Sequence, residues 1–221
     1  NNSLEWNQEG LWYEADQRHA EILVRNLELE GNRVRPEVPG ENITYSEEDE
    51  EELPLAEVKT YQALVARAKY LAADRTDIIY AAKEICRHMA SPTVGALKKM
   101  KRLGRYLLGN ARMTTRYEWQ GEESEITGYS DSDWAGCRVT GKSTSGGVIL
   151  IGSHFIKGWS RTQNHVTMSS AEAELIALVK CTAECMGIRS LLRDWGMESG
   201  GIIFADSSAA LAIAKRKGAG N

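Results

Sequence analysis

The C-terminal half of this 221-residue chain predicts an α/β domain with a mixed sheet, ordered β-β-β-α-β-α, behind a mainly helical segment. Three observations carry that expectation. Between residues 123 and 160 the apolar pattern shortens to that of strands, and only Gly152-Ser153 separates two of the runs, the length of a tight hairpin. From Ser169 towards Trp195 the pattern lengthens to that of one long helix, opened by the capping-box sequence Ser169-Ser170-Ala171-Glu172 and stopped at Gly196. A short apolar run at 201–205 then delivers Asp206, and helical spacing resumes over 207–215.

Taken in order, the chain divides into four parts. In residues 1–31, Trp6, Leu11, Trp12 and Tyr13 predict a short strand or turn. An amphipathic helix follows from about Gln17, with Asp16 as N-cap and Gly31 as its stop. Residues 32–54 hold three of the four prolines, Pro36, Pro39 and Pro54, and the run Glu47-Glu48-Asp49-Glu50-Glu51-Glu52, the composition of a solvated acidic linker. Residues 55–118 predict a helical segment. Its first helix, over 57–72, places Val58, Tyr61, Leu64, Val65, Ala68 and Leu71 on one stripe. The second carries Ile78, Ile79, Ala81, Ala82, Ile85, Cys86 and Met89, and the third runs over 93–108 with Pro92 in its first turn. The fourth part, 122–217, is the α/β domain. Its long helix is expected to bury Leu175, Leu178, Val179, Thr182, Cys185, Ile188, Leu191 and Leu192.

The net charge of −4 conceals a partition. Residues 1–60 hold 16 acids and 5 bases, residues 61–118 hold 4 acids and 12 bases, and residues 119–221 are nearly balanced with 11 and 10. Between Thr93 and Tyr117 stand seven bases (Lys98, Lys99, Lys101, Arg102, Arg105, Arg112 and Arg116) and no acid. A solvated helix face and a phosphate-binding surface both explain such a run, and Lys98, Lys101, Arg102 and Arg105 are the candidates for backbone contact. The four cysteines have no framework spacing; Cys181 and Cys185 stand four apart, which suits buried small side chains better than a metal pair. Free thiols fit a reducing intracellular compartment. No apolar run reaches the roughly 20 residues that span a membrane, and the N-terminus has no signal-peptide pattern. The first residue is Asn, not Met, so the chain reads as a piece of something longer.

Three acids stand in settings that a divalent-cation site requires, where oxygen ligands are fixed on rigid elements. One lies in Gly128-Tyr129-Ser130-Asp131-Ser132-Asp133-Trp134-Ala135-Gly136, one in Ser169-Ser170-Ala171-Glu172-Ala173-Glu174-Leu175, and one at Asp206. The residues alone leave Asp131 against Asp133 and Glu174 against Glu172 open. Glu172 has a ready structural role in the capping box, while Glu174 has none in an otherwise apolar helix.

These motifs, with Lys142-Ser143-Thr144-Ser145-Gly146 and Trp159-Ser160-Arg161-Thr162-Gln163, resemble the ribonuclease H region of copia-type LTR retrotransposon polyproteins. Upstream, the run from Tyr61 to Ala72, Arg75-Thr76-Asp77-Ile78 and Lys101-Arg102-Leu103-Gly104-Arg105-Tyr106-Leu107 resemble the segment joining that family's polymerase thumb to its ribonuclease H domain. The likeness covers residues 57–217. It implies a ribonuclease H-like mixed sheet and hydrolysis of the RNA strand of an RNA–DNA hybrid by two metal ions, Mg²⁺ or Mn²⁺. It also implies a template-primer duplex as partner and a polymerase domain upstream in the same polyprotein. The setting would be intracellular: cytoplasm, virus-like particle or nucleus. Matched position by position, the likeness assigns the acids to Asp131, Glu174 and Asp206, and Ser143, Thr144, Gln163 and Ser170 are polar candidates for hybrid contact. The family adds a fourth acid from beyond the last helix, whereas no acid follows Asp206 here, so one metal is expected to bind more tightly than the other. Two other readings stand beside this one: an inactive fragment that only binds nucleic acid, and an integrase- or transposase-like core. Such cores place their third acid on a helix after the sheet, unlike Asp206.

Overall fold

Tyr61, Leu64, Val65, Ala68 and Leu71 recur at three- and four-residue intervals, and this stripe is buried on a helix as its spacing requires. A computed structural model of the chain describes residues 2–40, 46–121, 125–137 and 139–216. It divides into two compact units, Asn1–Tyr117 and Glu118–Asn221.

The first unit opens with a hairpin of β1 (Ser3–Asn7) and β2 (Gly10–Glu14). α1 (Arg18–Asn26), α2 (Leu55–Leu71), α3 (Ile79–Cys86) and α4 (Val94–Gly109) follow, then β3 (Thr114–Glu118), which closes a three-stranded sheet of order β1-β2-β3. α1 begins at the expected place, but Gln17 is its N-cap; Asp16 instead accepts from the Arg18 backbone N–H at 3.0 Å. It also ends before Gly31. Glu28 N–H donates to the Arg25 carbonyl and Leu29 N–H to the Val24 carbonyl, a Schellman closure with Glu28 at φ +55. A glycine is not needed there because Leu27 and Leu29, buried beyond the helix end, hold the turn against α4. α4 starts from Thr93, whose side chain accepts from Ala96 N–H; Pro92 lies outside the helix, its carbonyl bonded by Leu53 N–H at 2.8 Å.

The acidic segment departs from a solvated linker. Residues 46–53 pack on the helices: Leu53 and Asp49 are buried, Val94 N–H donates to the Glu51 carbonyl, and Asp49 pairs with Lys98 at 2.5 Å. One apolar core joins Leu23, Val24 and Leu27 to Leu53, Leu64, Val65, Ile85, Met100 and Leu103, so parts 1–31, 46–54 and 55–117 make one body. Composition undervalued Leu53, a single anchor inside a charged run.

The second unit contains β4 (Glu125–Asp133), β5 (Thr144–Ile151), β6 (His154–Thr162), α5 (Ser170–Asp194), β7 (Gly200–Ala205) and α6 (Ser208–Ala214). The order β-β-β-α-β-α is the one expected, and the class is mixed α/β. The sheet runs β6-β5-β4-β7, with β4 antiparallel to β5 and parallel to β7. The β5–β6 hairpin turns through Gly152 at φ +57, and a bulge interrupts the ladder between Ile149 and Leu150.

α5 lies across one face of the sheet over Ile126, Ile149 and Trp159, using Ala173, Glu174, Ala177, Leu178, Cys181 and Cys185. Of the positions expected to be buried, Leu178 and Cys185 are, and Ile188 and Leu192 pack partly buried against the same core. Val179 and Leu191 are exposed, because close approach favours small side chains. Gly128 forms the floor: a Cβ there would come within 2.8 Å of the Cys181 sulfur and 2.9 Å of the Cys185 sulfur. Along β4, Ile126, Gly128 and Ser130 are the buried positions. On the intervening positions Tyr129 stacks on Phe204 with ring centroids 5.3 Å apart, both rings about half exposed.

Candidate metal centre

β4 and β7 run parallel, with Ser130 paired to Ala205, so the residues that follow, Asp131 and Asp206, emerge side by side at the same end of the sheet. Asp206 comes directly after the last residue of β7, and Asp131 is still held in the ladder opposite Gly146 of β5. The third acid arrives from α5. Ser169 caps that helix by accepting from Glu172 N–H, while the Glu172 carboxylate accepts from Met168 N–H at 2.7 Å, one residue short of a closed capping box. Glu172 is thus spent on the helix start. Glu174 lies in the next turn, on the face towards the sheet, and is buried.

Asp131, Glu174 and Asp206 converge: one carboxylate oxygen from each lies within 4.8 Å of the others. Among the described residues this is the group of three or more acids, histidines or cysteines that could hold a metal ion. Asp133 is not part of it; its carboxylate packs against the Gly136 backbone in the turn after β4, where a Cβ would collide with it. His154, bonded to the Glu118 carbonyl at 2.6 Å, belongs to the base of the β5–β6 hairpin.

Glu174 carries the electrostatic signature of the site. Its Oε1 accepts from the Ser132 backbone N–H at 3.1 Å and from the Ser132 hydroxyl at 2.7 Å. Its Oε2 is buried with no hydrogen-bond partner. Burial pushes its pKa up, the two Ser132 bonds pull it back, and the negative charges of Asp131 and Asp206 raise it further. An orphaned buried carboxylate oxygen beside two more carboxylates costs free energy unless a cation compensates it. The donor set, all carboxylate oxygen on rigid elements, fits Mg²⁺ or Mn²⁺. The three oxygens lie within 4.8 Å of one another, and the exposed Asp131 and Asp206 are free to turn inward towards an ion that Glu174 would hold from its fixed position.

The other sequence candidates separate into groups. Ser143, Thr144 and Gln163 are buried, so a direct-contact role on a nucleic-acid backbone does not suit them, while Ser170 is exposed at the start of α5. Ser143 instead accepts from Ala135 N–H at 3.0 Å and bonds the Thr167 hydroxyl at 2.8 Å. On α4, Lys98, Lys101, Arg102 and Arg105 follow an i, i+3, i+4, i+7 spacing and so share one helix face; Lys98 is engaged by Asp49 and Lys101 is exposed. Ser132 was not singled out from the sequence. The signal was there, a hydroxyl directly after Asp131, but nothing in the sequence ties it to a residue 42 positions away.

A mixed α/β unit with three carboxylates gathered at the shared end of two parallel strands defines the class of this protein. Its homologues are retrovirus-related Pol polyproteins of copia-type transposons. The chain is 34% identical over 143 residues to the Pol polyprotein from transposon RE1 of Arabidopsis thaliana, a match covering 65% of this chain and 10% of that one. It is 33% identical over 138 residues to the polyprotein from transposon RE2 of the same plant, 62% of this chain and 9% of that one. An uncharacterized mitochondrial protein of Arabidopsis, AtMg00810, is 33% identical over 124 residues, 56% of this chain and 51% of its own length. The chain thus spans about a tenth of the length of the RE1 and RE2 polyproteins. No family model matches the chain, and no solved structure matches it. No helix among the described residues is long and apolar enough to cross a membrane.

Proposed function

We propose that the second unit is a ribonuclease H-type nuclease module of a retroelement Pol polyprotein, hydrolysing the RNA strand of RNA–DNA hybrids with Mg²⁺ or Mn²⁺. The observation that carries this is the convergence of Asp131, Glu174 and Asp206 around an unpartnered Glu174 Oε2. The strand order β6-β5-β4-β7, with the adjacent parallel strands β4 and β7 delivering Asp131 and Asp206, supports the ribonuclease H-like reading of the fold. Homology to Pol polyproteins supports the retroelement setting, a polymerase domain upstream in the same chain and an intracellular location.

In this reading Asp131 and Asp206 supply exposed, adjustable oxygen ligands, and Glu174 supplies a fixed one. The two hydrogen bonds from Ser132 commit Glu174 Oε1 and leave Oε2 for the cation. The chemistry that a divalent pair held by these residues would supply is activation of water and stabilisation of the leaving oxygen. The residues of the chain position these ligands, and burial of Glu174 on α5 keeps its carboxylate from being satisfied by water. Cleavage of a labelled RNA–DNA hybrid in Mg²⁺ tests the proposal, with loss expected in Asp131→Asn and Asp206→Asn; cleavage unchanged by both overturns it.

The basic face of α4 favours a second reading, in which the chain grips a template-primer duplex without cutting it. Salt-sensitive binding of the hybrid with no cleavage, even in Mn²⁺, would select that one.

A further inference from the structure

Beside the acids lies a buried polar network with no part in the chemistry proposed above. Gln163, just beyond the end of β6, is buried; its backbone N–H donates to the Ser143 carbonyl at 2.8 Å. Its side-chain amide donates twice, to the Ser145 hydroxyl and to the Ala173 carbonyl, each at 2.9 Å. The Ala173 carbonyl belongs to the peptide group that carries the Glu174 nitrogen, so this bond fixes the peptide plane from which Glu174 projects. Ser143 extends the network, joining Ala135 N–H in the turn after β4 to the Thr167 hydroxyl in the approach to α5. The exit of the strand bearing Asp131, the start of β5 and the start of the helix bearing Glu174 are thereby tied through four side chains, those of Gln163, Ser145, Ser143 and Thr167.

We propose that Gln163 is a positioning residue for the acidic site, its amide locking the beginning of α5 so that Glu174 Oε2 meets Asp131 and Asp206. This rests on the metal-binding part of the reading above. The convergence of the three acids depends on where the second turn of α5 lies relative to the ends of β4 and β7, and a shift near 1 Å is enough to spoil a ligand set. In the described structure the side-chain bond to Ala173 reaches the carbonyl next to Glu174 directly. Gln163 and Ser143, candidates for hybrid contact from the sequence, act in this proposal from behind the site.

The test is Mn²⁺ affinity of the full chain, read by electron paramagnetic resonance. Gln163→Met keeps the side chain's length and removes both donors, and is expected to weaken Mn²⁺ binding roughly tenfold or more. Cys185→Ala, in the same core but remote from the first turns of α5, is expected to lower the melting temperature and leave Mn²⁺ affinity in place. A Gln163→Met chain that binds Mn²⁺ as the unaltered chain does, or no worse than Cys185→Ala, overturns the inference. If Gln163→Met does not fold, Ser145→Ala decides: weaker binding supports the network and unchanged binding overturns it. An unaltered chain that binds no Mn²⁺ overturns the metal reading itself, an outcome distinct from the other two.

Discussion

Glu174 is where the energetics of the site are concentrated, because it is the one member of the acidic set that is buried. With its pKa raised in the fold, it binds a proton more tightly folded than unfolded. Its contribution to stability is therefore fully present below the ordinary glutamate range and is lost as pH rises through the raised value. Glu184 works in the opposite sense. Hydrogen bonds from Lys157 and Lys180 hold it down to about 2, so its contribution is present above the ordinary range and disappears only as pH falls towards that value. Melting curves recorded without metal between the carboxylate range and neutrality should thus show a falling component that Glu174→Gln removes. At neutral pH the same variant is expected to be more stable without metal, on the order of 1 kcal/mol, since a buried charge with one unpartnered oxygen beside two other carboxylates is gone. It should also lack the upward shift in melting temperature expected of the unaltered chain in Mg²⁺. A Mg²⁺ shift that survives Glu174→Gln would remove Glu174 from the ligand set. Ser132→Ala deletes a bond that favours the carboxylate form, so carbon NMR of the Glu174 carboxyl should find its pKa raised further.

At the scale of the elements, a close joint lies between β4 and α5, where Gly128 meets Cys181 and Cys185. Gly128→Ala overpacks this joint and is expected to cost about 1–3 kcal/mol in urea unfolding. Adding Cys181→Ala should recover part of that loss, which a double-mutant cycle would show as a coupling between the two positions. Additive losses would mean that the helix moves away as a whole. The same joint explains what the sequence could and could not reveal. Strand alternation, the Gly152-Ser153 turn and the Ser169 cap are local signals, and each is legible because the physics that sets it acts within a few residues. The buried side of α5 is legible in part: Leu178 and Cys185 face the core as their spacing predicts, whereas the sheet also selects small residues over Gly128 and leaves Val179 and Leu191 outside. The acids were nominated by their positions at the ends of strands and the start of a helix. Their convergence depends on β7 pairing in parallel beside β4, across some 75 residues of chain. Ser132 and Gln163 stand in plain sight in the sequence, but their partners Glu174 and Ala173 are set by the tertiary fold.

Across the whole molecule, charge is partitioned by segment, and the first unit pairs its own acids with its own bases. The acidic segment after residue 45 is docked on the helices through Leu53, and its Asp49 is seated on Lys98 at the N-terminal part of the basic face of α4. Hydrogen bonding to Lys98 is the leading reason the Asp49 carboxyl is held below the usual range, and the same bond raises Lys98. A phosphate approaching that face meets Lys101 exposed, but must compete with Asp49 for Lys98. This distinguishes the residues in a salt titration of hybrid binding measured by fluorescence anisotropy. Each phosphate contact that is removed should lower the slope of log affinity against log salt by about 1. Lys101→Ala is expected to show that full decrement and Lys98→Ala much less. Asp49→Asn, which releases Lys98, is expected to tighten binding and steepen the slope. A slope indifferent to Lys101 and Asp49 alike would place the nucleic-acid contact on another surface and leave the basic face of α4 as a solvated one.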